Sequence, residues 1–272
     1  SISGLVEKGK SNFVGPEIEG KTLGVVGLGA IGVRVANAAH HLGMDVIGFD
    51  PYLSVDAAWH LTRFAHKAND LQTLLEKADY ITIHVPATPE TKGMFNSEAF
   101  VSMKNGARLL NFSRGTLVDE EDVIAALASG KLSCYITDFA SEALLKQENV
   151  IAMPHLGAST PESEENCARM AAAQLRDYLE WGSIHNSVNL PELPLGAPTA
   201  ARILVIHENI PNMLSTIAAC VSREGINIDT MVNKSRKALA VTMMEMADLP
   251  SESGIQAIAA LDGVIRVRTF MG

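Results

Sequence analysis

The stretch TLGVVGLGAIG, residues 22–32, joins an apolar strand-like run to a glycine pattern. A helix-like segment, IGVRVANAAHHL, continues from Ile31. A strand that turns through GxGxxG into a helix is typical of dinucleotide-binding units. Gly27 permits the tight turn, Gly29 lets the backbone approach a pyrophosphate, and Gly32 lets helix and strand pack closely. The stretch therefore predicts a nucleotide cofactor at the start of this helix.

The second apolar run, DVIGFD, ends in an acidic residue, Asp50. It follows the glycines by about 20 positions, where a carboxylate accepts a hydrogen bond from the ribose 2′-hydroxyl. A carboxylate there also repels a 2′-phosphate, so the pattern favours NAD over NADP. The alternative is a glycine-rich turn beside an unrelated surface aspartate.

Strand-like runs alternate with helix-like segments up to about residue 181. The pattern predicts an α/β domain over residues 1–181, a doubly wound parallel sheet of the Rossmann type, with residues 1–20 leading into it. The predicted strands are TLGVVGL, DVIGFD, DYITIHV, ARLLNFS, LSCYITD and NVIAMP.

Two of the predicted helices carry start and stop signals. DEED at 119–122 is typical of a helix start and Gly130 of its end, while Thr160–Pro161 begins the next helix. In that next helix we expect Cys167, Met170, Ala171 and Leu175 to share one face.

Polar residues follow most of the predicted strands, and ligands bind beyond the carboxyl ends of strands in an open parallel sheet. NAD beside a histidine and an arginine suits hydride transfer from an alcohol, because one group takes the proton and the other holds an oxygen. Arginine also suits a substrate carboxylate, which its planar fork grips at both oxygens. The residues at this edge are Asp50, His84, Pro86, Ser113, Arg114, Asp138 and His155.

Each of these residues also has an ordinary structural interpretation. His84 follows a deeply apolar run, so it is expected to pack or to lie beside the cofactor rather than carry protons. Arg114 is also positioned to pair with the acidic helix start at 119–122, and His155 to support a nearby helix. These interpretations remain open at this point.

The alternation of strand-like and helix-like segments stops at residues 182–200, where three prolines and the lack of a regular hydrophobic period predict a linker. Residues 201–272 then read as strand, helix, strand, strand, helix, strand, which is the ferredoxin-like βαββαβ arrangement. The MMEM run lies on a predicted central strand, where we expect methionines to pack in the core rather than bind metal.

Composition excludes several classes of function. The net charge is −9, with 22 basic and 31 acidic residues and no basic cluster, which argues against nucleic acid and anionic membranes as partners. No apolar run approaches the roughly 20 residues of a membrane helix. Three well-separated cysteines (Cys134, Cys167 and Cys220) lack the spacing of a metal or redox pair, so we expect reduced core thiols in a cytoplasmic protein.

Five segments together resemble the D-isomer-specific 2-hydroxyacid dehydrogenases: GKTLGVVGLGAIG, HVPATPETKGM, LLNFSRGTLVDEEDVIAAL, TDFASE and MPHLGASTPESEEN. Within that family the chain resembles, over essentially its whole length, the members that oxidise 3-phospho-D-glycerate in the first step of L-serine biosynthesis and carry a C-terminal ACT domain. The resemblance implies three catalytic residues, Arg114, Glu142 and His155. Glu142 would orient the imidazole of His155, although the 13 positions from Glu142 to His155 are fewer than is common in the family.

The resemblance also implies a larger set of residues that line NAD. They are Gly27, Gly29, Ala30, Ile31, Gly32, Asp50, His84, Pro86, Thr91, Phe112, Ser113, Arg114, Asp138, His155, Gly157 and Ala158.

In the second domain the resemblance implies a serine effector site at His207, Asn209 and Asn227. Asparagine side chains and a helix N-terminus suit a small zwitterion. Where many relatives have Pro-Gly, this chain has Pro211–Asn212, so the geometry of the loop is a departure. The alternative is that His207 is a strand-end residue that pairs with Glu208 or a neighbour, and no second ligand at suitable spacing points to a metal.

Family members build most of their substrate domain from roughly 100 residues ahead of the dinucleotide fold, and this chain starts just before the first strand. We therefore expect the 272-residue chain to bind NAD but to turn over poorly, and the residues that hold the substrate phosphate cannot be named. Three other functions stay open: a glyoxylate or hydroxypyruvate reductase, a non-catalytic NAD sensor of the corepressor type, and a regulatory fragment. A homo-oligomer is expected, since family members usually assemble and ACT domains usually pair.

Overall fold

The computed structural model describes residues 2–10 and 14–272; residues 1 and 11–13 of the predicted lead-in lie outside the described residues. The chain forms two compact units, which divide between Gly157 and Ala158. No helix in the described ranges is long and apolar enough to cross a membrane.

The first unit is built on a seven-stranded sheet in the order β3-β2-β1-β4-β5-β6-β7. Every strand pair is parallel, so the predicted doubly wound sheet is confirmed, and the short β3 is an addition to it. The strands are β1 Thr22–Val26, β2 Asp45–Phe49, β3 His66–Lys67, β4 Tyr80–Ile83, β5 Ala107–Asn111, β6 Leu132–Thr137 and β7 Val150–Ala152.

Helices cover both faces of this sheet, as alternate residues of β1 illustrate. Leu23 and Val25 are buried in one apolar cluster with Val33, which lies on the helix Gly32–His41. Val26 packs in a different cluster with Leu74 of the helix Leu71–Lys77. The helices of this unit are α1 Ile2–Gly9, α2 Gly32–His41, α3 Val55–His60, α4 Leu71–Lys77, α5 Ser97–Ser102 and α6 Glu120–Ala128.

The predicted helix signals are confirmed at three positions. Asp119 caps α6 by accepting a hydrogen bond from the N–H of Asp122, and Gly130 follows the helix with a φ of 73°. Thr160 caps α7 (Pro161–Trp181), which belongs to the second unit.

The second unit carries a four-stranded antiparallel sheet in the order β11-β8-β10-β9. Its elements confirm the predicted βαββαβ sequence: β8 Ala201–Glu208, α8 Met213–Ser222, β9 Ile228–Arg236, β10 Leu239–Met246, α9 Glu252–Ala259 and β11 Val264–Met271. Met243, Met244 and Met246 are buried on the central strand β10, so the packing role predicted for the MMEM run is confirmed.

The segment predicted as a linker is an ordered part of the second unit. Ile184 and Leu193 exchange backbone hydrogen bonds of 2.9 Å and are both buried. They pack with Leu204 and Val241 on the sheet face opposite α8 and α9. Apolar residues separated by prolines have no regular period, so the sequence pattern did not reveal this packing.

The division between the units differs from the boundary predicted at residue 181. The C-terminal end of α7 is tied to the second sheet, because the guanidinium of Arg268 donates to the carbonyl oxygens of Tyr178 and Leu179. Tyr178 also packs in the apolar cluster that contains Ile184 and Leu193. These contacts join the long helix to the second unit.

The exposure of α7 and of the cysteines differs from that of a core. No residue of α7 is buried, and the four residues predicted to share one of its faces are all exposed: Cys167, Met170, Ala171 and Leu175. Cys220 is buried as predicted, whereas Cys134 is half-buried and Cys167 is exposed. The prediction of three core thiols was therefore wrong for Cys134 and Cys167.

Candidate active site

The residues predicted at one edge of the first sheet do lie at one edge. All seven strands run in the same direction, and neighbouring strand ends are linked by backbone hydrogen bonds. The N–H of Gly27 donates to the carbonyl of Phe49 (2.9 Å), and that of His84 donates to the carbonyl of Val26 (2.7 Å). The carboxyl ends of β1 and β4, next to each other in the sheet, mark the point where the chain order reverses, which is where ligands bind in such folds.

The three glycines of GLGAIG have different surroundings. A Cβ on Gly27 would lie 2.6 Å from the carbonyl oxygen of His84, and one on Gly32 would lie 1.9 Å from that of Gly27. A Cβ on Gly29 would meet nothing within 4 Å. Two glycines are thus required by the fold, and the third leaves open space in front of the uncapped start of α2, which suits a pyrophosphate.

Asp50 is held in a fixed orientation beside this turn. One carboxylate oxygen accepts from the N–H of Leu28 and the other from the N–H of Tyr52, both at 2.8 Å. Each oxygen keeps a further lone pair, because a carboxylate accepts about four hydrogen bonds. A cavity of about 340 Å³ borders Asp50, so the carboxylate is placed to accept ribose hydroxyls.

A buried asparagine shapes the loop that carries Arg114. The side chain of Asn111 accepts from the N–H of Ser113 (3.1 Å) and donates to the carbonyl of Arg114 (3.0 Å). The hydroxyl of Ser113 donates to the carbonyl of Ile83 on β4 (2.9 Å). Sequence reasoning missed Asn111, although a polar residue at the end of the apolar run ARLLNF was the available signal.

The guanidinium of Arg114 is exposed and donates to the carbonyl of Ser113 at 2.6 Å. Among the residues that the structure describes, it forms no ion pair with the acidic start of α6. Asp119 and Asp122 instead accept backbone N–H groups, at α6 and at Ser97. Arg114 is therefore a cation at the carboxyl-end edge of the first sheet, and most of its N–H donors are free to bind a ligand.

His155 is held by a carboxylate and an aromatic ring. Its Nδ1 lies 2.7 Å from Oδ2 of Asp138, and its ring is 4.5 Å from the ring of Phe139. The side chain of Asp138 is only 9% exposed, and its Oδ1 is buried without a partner. Over the described ranges Nε2 of His155 has no hydrogen-bond partner, so this nitrogen is available to a ligand.

The predicted pair between Glu142 and His155 is not formed. Glu142 is exposed, and across residues 14–272 its side chain makes no hydrogen bond or ion pair. A 3-10 turn, Leu144–Lys146, follows Glu142, whereas Asp138 directly follows β6 beside the loop of His155. Asp138, and not Glu142, is the carboxylate in contact with the imidazole.

His84 matches the interpretation of a packed residue beside the cofactor site. Its Nε2 lies 3.0 Å from the hydroxyl of Thr82. Burial lowers the pKa of His84 below its ordinary value, which favours a neutral ring. In the next loop the hydroxyl of Thr91 donates to the carbonyl of Pro86 (2.7 Å), so Thr91 holds this loop.

Five further residues predicted to line NAD are exposed to solvent: Ala30, Ile31, Phe112, Gly157 and Ala158. Of these, Ala158 is the first residue of the second unit.

In the second unit His207 is a buried, fully bonded residue. Its Nδ1 lies 2.7 Å from the carbonyl oxygen of Glu208 and its Nε2 lies 2.8 Å from the hydroxyl of Thr242. With the ring 2% exposed, this geometry matches the strand-end interpretation and leaves no ring nitrogen free for a ligand. Asn209 and Asn227 are exposed, and their amide groups donate to the carbonyl of Lys237 and to Asp229.

The backbone at the Pro211–Asn212 departure takes the conformation that a glycine would favour. Asn212 adopts a φ of 68°, the left-handed conformation that glycine favours and asparagine tolerates better than most residues. The described part of the chain contains no group of three or more His, Cys, Asp or Glu side chains arranged to hold a metal ion.

Comparison with known proteins identifies the first unit. The family model "D-isomer specific 2-hydroxyacid dehydrogenase, NAD binding domain" matches residues 3–157, more than half of the chain. The open space at Gly29, the start of α2 and the orientation of Asp50 fit NAD. The solved structure of D-lactate dehydrogenase with NAD+ from Lactobacillus jensenii is 27% identical, with a TM-score of 0.53, and covers 63% of this chain and 58% of that one.

Two curated relatives extend the comparison. The D-3-phosphoglycerate dehydrogenase of Synechocystis sp. is 40% identical over 190 residues, which are 68% of this chain and 34% of the relative. The D-3-phosphoglycerate dehydrogenase of Escherichia coli K12 is 33% identical over 265 residues, which are 93% of this chain and 63% of the relative. The chain thus spans between a third and two thirds of the length of these relatives. With its family model matched over most of the first unit, the chain belongs to the D-isomer-specific 2-hydroxyacid dehydrogenases and carries their NAD-binding domain.

Proposed function

We propose that the protein takes part in the NAD-dependent oxidation of 3-phospho-D-glycerate to 3-phosphohydroxypyruvate, the first step of L-serine biosynthesis. The observation that carries this proposal is the extent of the match to the E. coli D-3-phosphoglycerate dehydrogenase, which covers 93% of the chain and so includes the second unit. The D-lactate dehydrogenase neighbour covers only 63% of the chain. The shared second unit favours phosphoglycerate over the substrates of shorter relatives.

In this proposal each residue at the carboxyl-end edge of the first sheet has a separate role in the reaction. NAD held at this edge of the sheet would supply the acceptor for the hydride that leaves C2 of the substrate. The free Nε2 of His155 accepts the proton of the C2 hydroxyl, while Arg114 binds the substrate carboxylate and polarises the C2 oxygen. Gly29 and the start of α2 hold the pyrophosphate, and Asp50 holds the ribose.

The first test measures cofactor binding by calorimetry on the 272-residue chain. We expect NAD to bind and NADP to bind at least about tenfold more weakly, because Asp50 repels a 2′-phosphate. Asp50→Ala should reduce this preference, with the exposed Asp45→Ala, at the opposite end of β2, as the matched control. Equal affinities for the two cofactors would contradict the cofactor assignment.

The second test measures substrate preference through the appearance or loss of NADH. 3-Phospho-D-glycerate is compared with D-lactate as reductant, and hydroxypyruvate with glyoxylate in the reverse direction. The same assay is made on the full gene product that contains this chain. Preference for glyoxylate would support the reductase alternative, and NAD binding by the full gene product without any turnover would support the NAD-sensing one.

The second unit is proposed to be an ACT domain that binds serine as an effector. Its βαββαβ order supports this assignment, and Asn209 and Asn227 are exposed with amide groups suited to a zwitterion. Since both ring nitrogens of His207 are engaged, His207 would support the site rather than contact serine. Calorimetric titration with serine should give binding that Asn227→Ala weakens, and unchanged binding in this variant would refute the site.

A homo-oligomer is also proposed. Leu175 and Leu179 of α7, four positions apart and so on one face of the helix, are each more than half exposed, an apolar surface that assembly would cover. Sedimentation velocity on the chain, and on Leu175→Glu, tests this; a monomer at all concentrations would contradict it.

A further inference from the structure

The carboxylate next to His155 in the structure is not the one that the family resemblance implies. Oδ2 of Asp138 lies 2.7 Å from Nδ1 of His155, whereas Glu142 is exposed and, over the described part of the chain, without a partner. We propose that Asp138 is the positioning residue that holds the imidazole of His155 in one tautomer and one orientation. The catalytic meaning of this inference rests on the proposed dehydrogenase function, but the contact itself does not.

The tautomer follows from the hydrogen-bonding capacity of the two groups. An ionised carboxylate only accepts hydrogen bonds, so Nδ1 of a neutral His155 must carry the ring proton and donate it to Asp138. The lone pair then lies on Nε2, the nitrogen without a partner among residues 14–272. This is the arrangement that a proton acceptor for a substrate hydroxyl requires.

The burial of Asp138 strengthens its hold on the ring. Its side chain is 9% exposed while that of His155 is 48% exposed, so the carboxylate is fixed in the protein and the imidazole projects from it toward solvent. A charged hydrogen bond that is partly shielded from water is stronger than an exposed one. Glu142 would have to order an exposed side chain to compete.

A second contact fixes the plane of the ring. The imidazole of His155 lies against Phe139, with the ring centroids 4.5 Å apart and the planes inclined by 42°. Phe139 is itself confined by Gly115, where an added Cβ would lie 3.2 Å from the Cβ of Phe139. Because Gly115 follows Arg114, the same aromatic side chain connects the loop of the histidine with the loop of the arginine.

The test records the tautomer of His155 by long-range 1H–15N correlation spectroscopy on the 15N-labelled 272-residue chain. The spectra are taken without substrate, well above the ordinary imidazole pKa of about 6.5. In the wild type we expect the Nδ1–H form. In Asp138→Asn this form should lose its dominance, because an amide carries no charge and can donate to Nδ1 instead of accepting from it.

Two further variants make the result decisive. Glu142→Gln, the matched control, should keep the wild-type tautomer, and Asp138→Ala should shift His155 toward the Nε2–H form that free histidine favours. Unchanged ring signals of His84 and His207 report that each variant is folded. The inference is overturned if His155 keeps the Nδ1–H form in both Asp138 variants, or if Glu142→Gln removes it.

This readout separates the inference from the proposed function. Failure of the chain to bind NAD in the calorimetric test would remove the proposed function and leave the tautomer result standing. The Nδ1–H form in both Asp138 variants, with NAD binding to the wild-type chain intact, would remove the inference alone.

Discussion

Arg202 and Glu245 face each other across β8 and β10 and form an ion pair in which Nε of Arg202 lies 3.1 Å from the carboxylate. The same guanidinium donates to the carbonyl oxygens of Trp181 (2.7 Å) and Gly196 (2.8 Å). Arg202 is 3% exposed. One buried cation therefore fastens the end of α7 and the proline-rich segment to the second sheet.

Replacing Arg202 should weaken the packing of both the end of α7 and the proline-rich segment on the second sheet. Arg202→Met leaves a carboxylate and two carbonyl oxygens without their donor, and breaking a buried pair costs about 3 kcal/mol. We expect faster amide hydrogen exchange in β8 and in the backbone pair of Ile184 and Leu193. The exposed Arg223→Met is the control, and similar protection in the two variants would contradict this role.

The elements of the fold were predictable because they depend on local patterns. Strand-like runs, the glycines of GLGAIG and the acidic start at Asp119 each act over a few residues, and the structure has strands, a turn and a helix cap at these places. The second unit was predictable for the same reason, since its six elements follow one another with clear boundaries.

The partners of individual side chains were less predictable. Which carboxylate contacts His155 depends on how the loop after β6 folds, and sequence spacing alone did not decide between Asp138 and Glu142. The packing of Ile184 and Leu193 depends on a sheet face formed by residues later in the chain. Both are long-range effects that periodicity does not report.

Substitution of two glycines should separate folding from cofactor binding. Gly29→Ala adds a methyl group to open space, so we expect normal stability but NAD binding weakened about tenfold or more, because the Cβ occupies the approach of the pyrophosphate. Gly32→Ala places its Cβ 1.9 Å from the carbonyl oxygen of Gly27 and should lower stability by about 1–3 kcal/mol. Urea unfolding measures the stability and calorimetry measures the NAD affinity. Normal NAD affinity in Gly29→Ala would contradict the assignment of the pyrophosphate to the space at Gly29.

Removal of the buried amide of Asn111 should affect both stability and binding. Asn111→Ala leaves the N–H of Ser113 and the carbonyl of Arg114 without their partner, which costs about 1–3 kcal/mol. NAD affinity should fall as well, since the loop that presents Ser113 and Arg114 loses its support. Asn105→Ala, an exposed site, is the control for urea unfolding and calorimetry, and equal effects of the two substitutions would disprove the supporting role.

Acid should destabilise the first unit through His84. Because burial lowers the pKa of His84 in the folded protein below its ordinary value of 6.5, the unfolded chain binds more protons than the folded one as the pH falls through this range. The contribution of neutral His84 is fully present above the unfolded pKa and is lost as pH falls toward the folded pKa. The unfolding free energy of the wild type should therefore decrease more between about pH 7.5 and about pH 5.5 than that of His84→Gln. Urea titrations at the two pH values measure this difference, with the exposed His66→Gln as the control that keeps the wild-type dependence; parallel behaviour of His84→Gln and the wild type would show that the ring is charged in the folded state or that its burial has no energetic consequence.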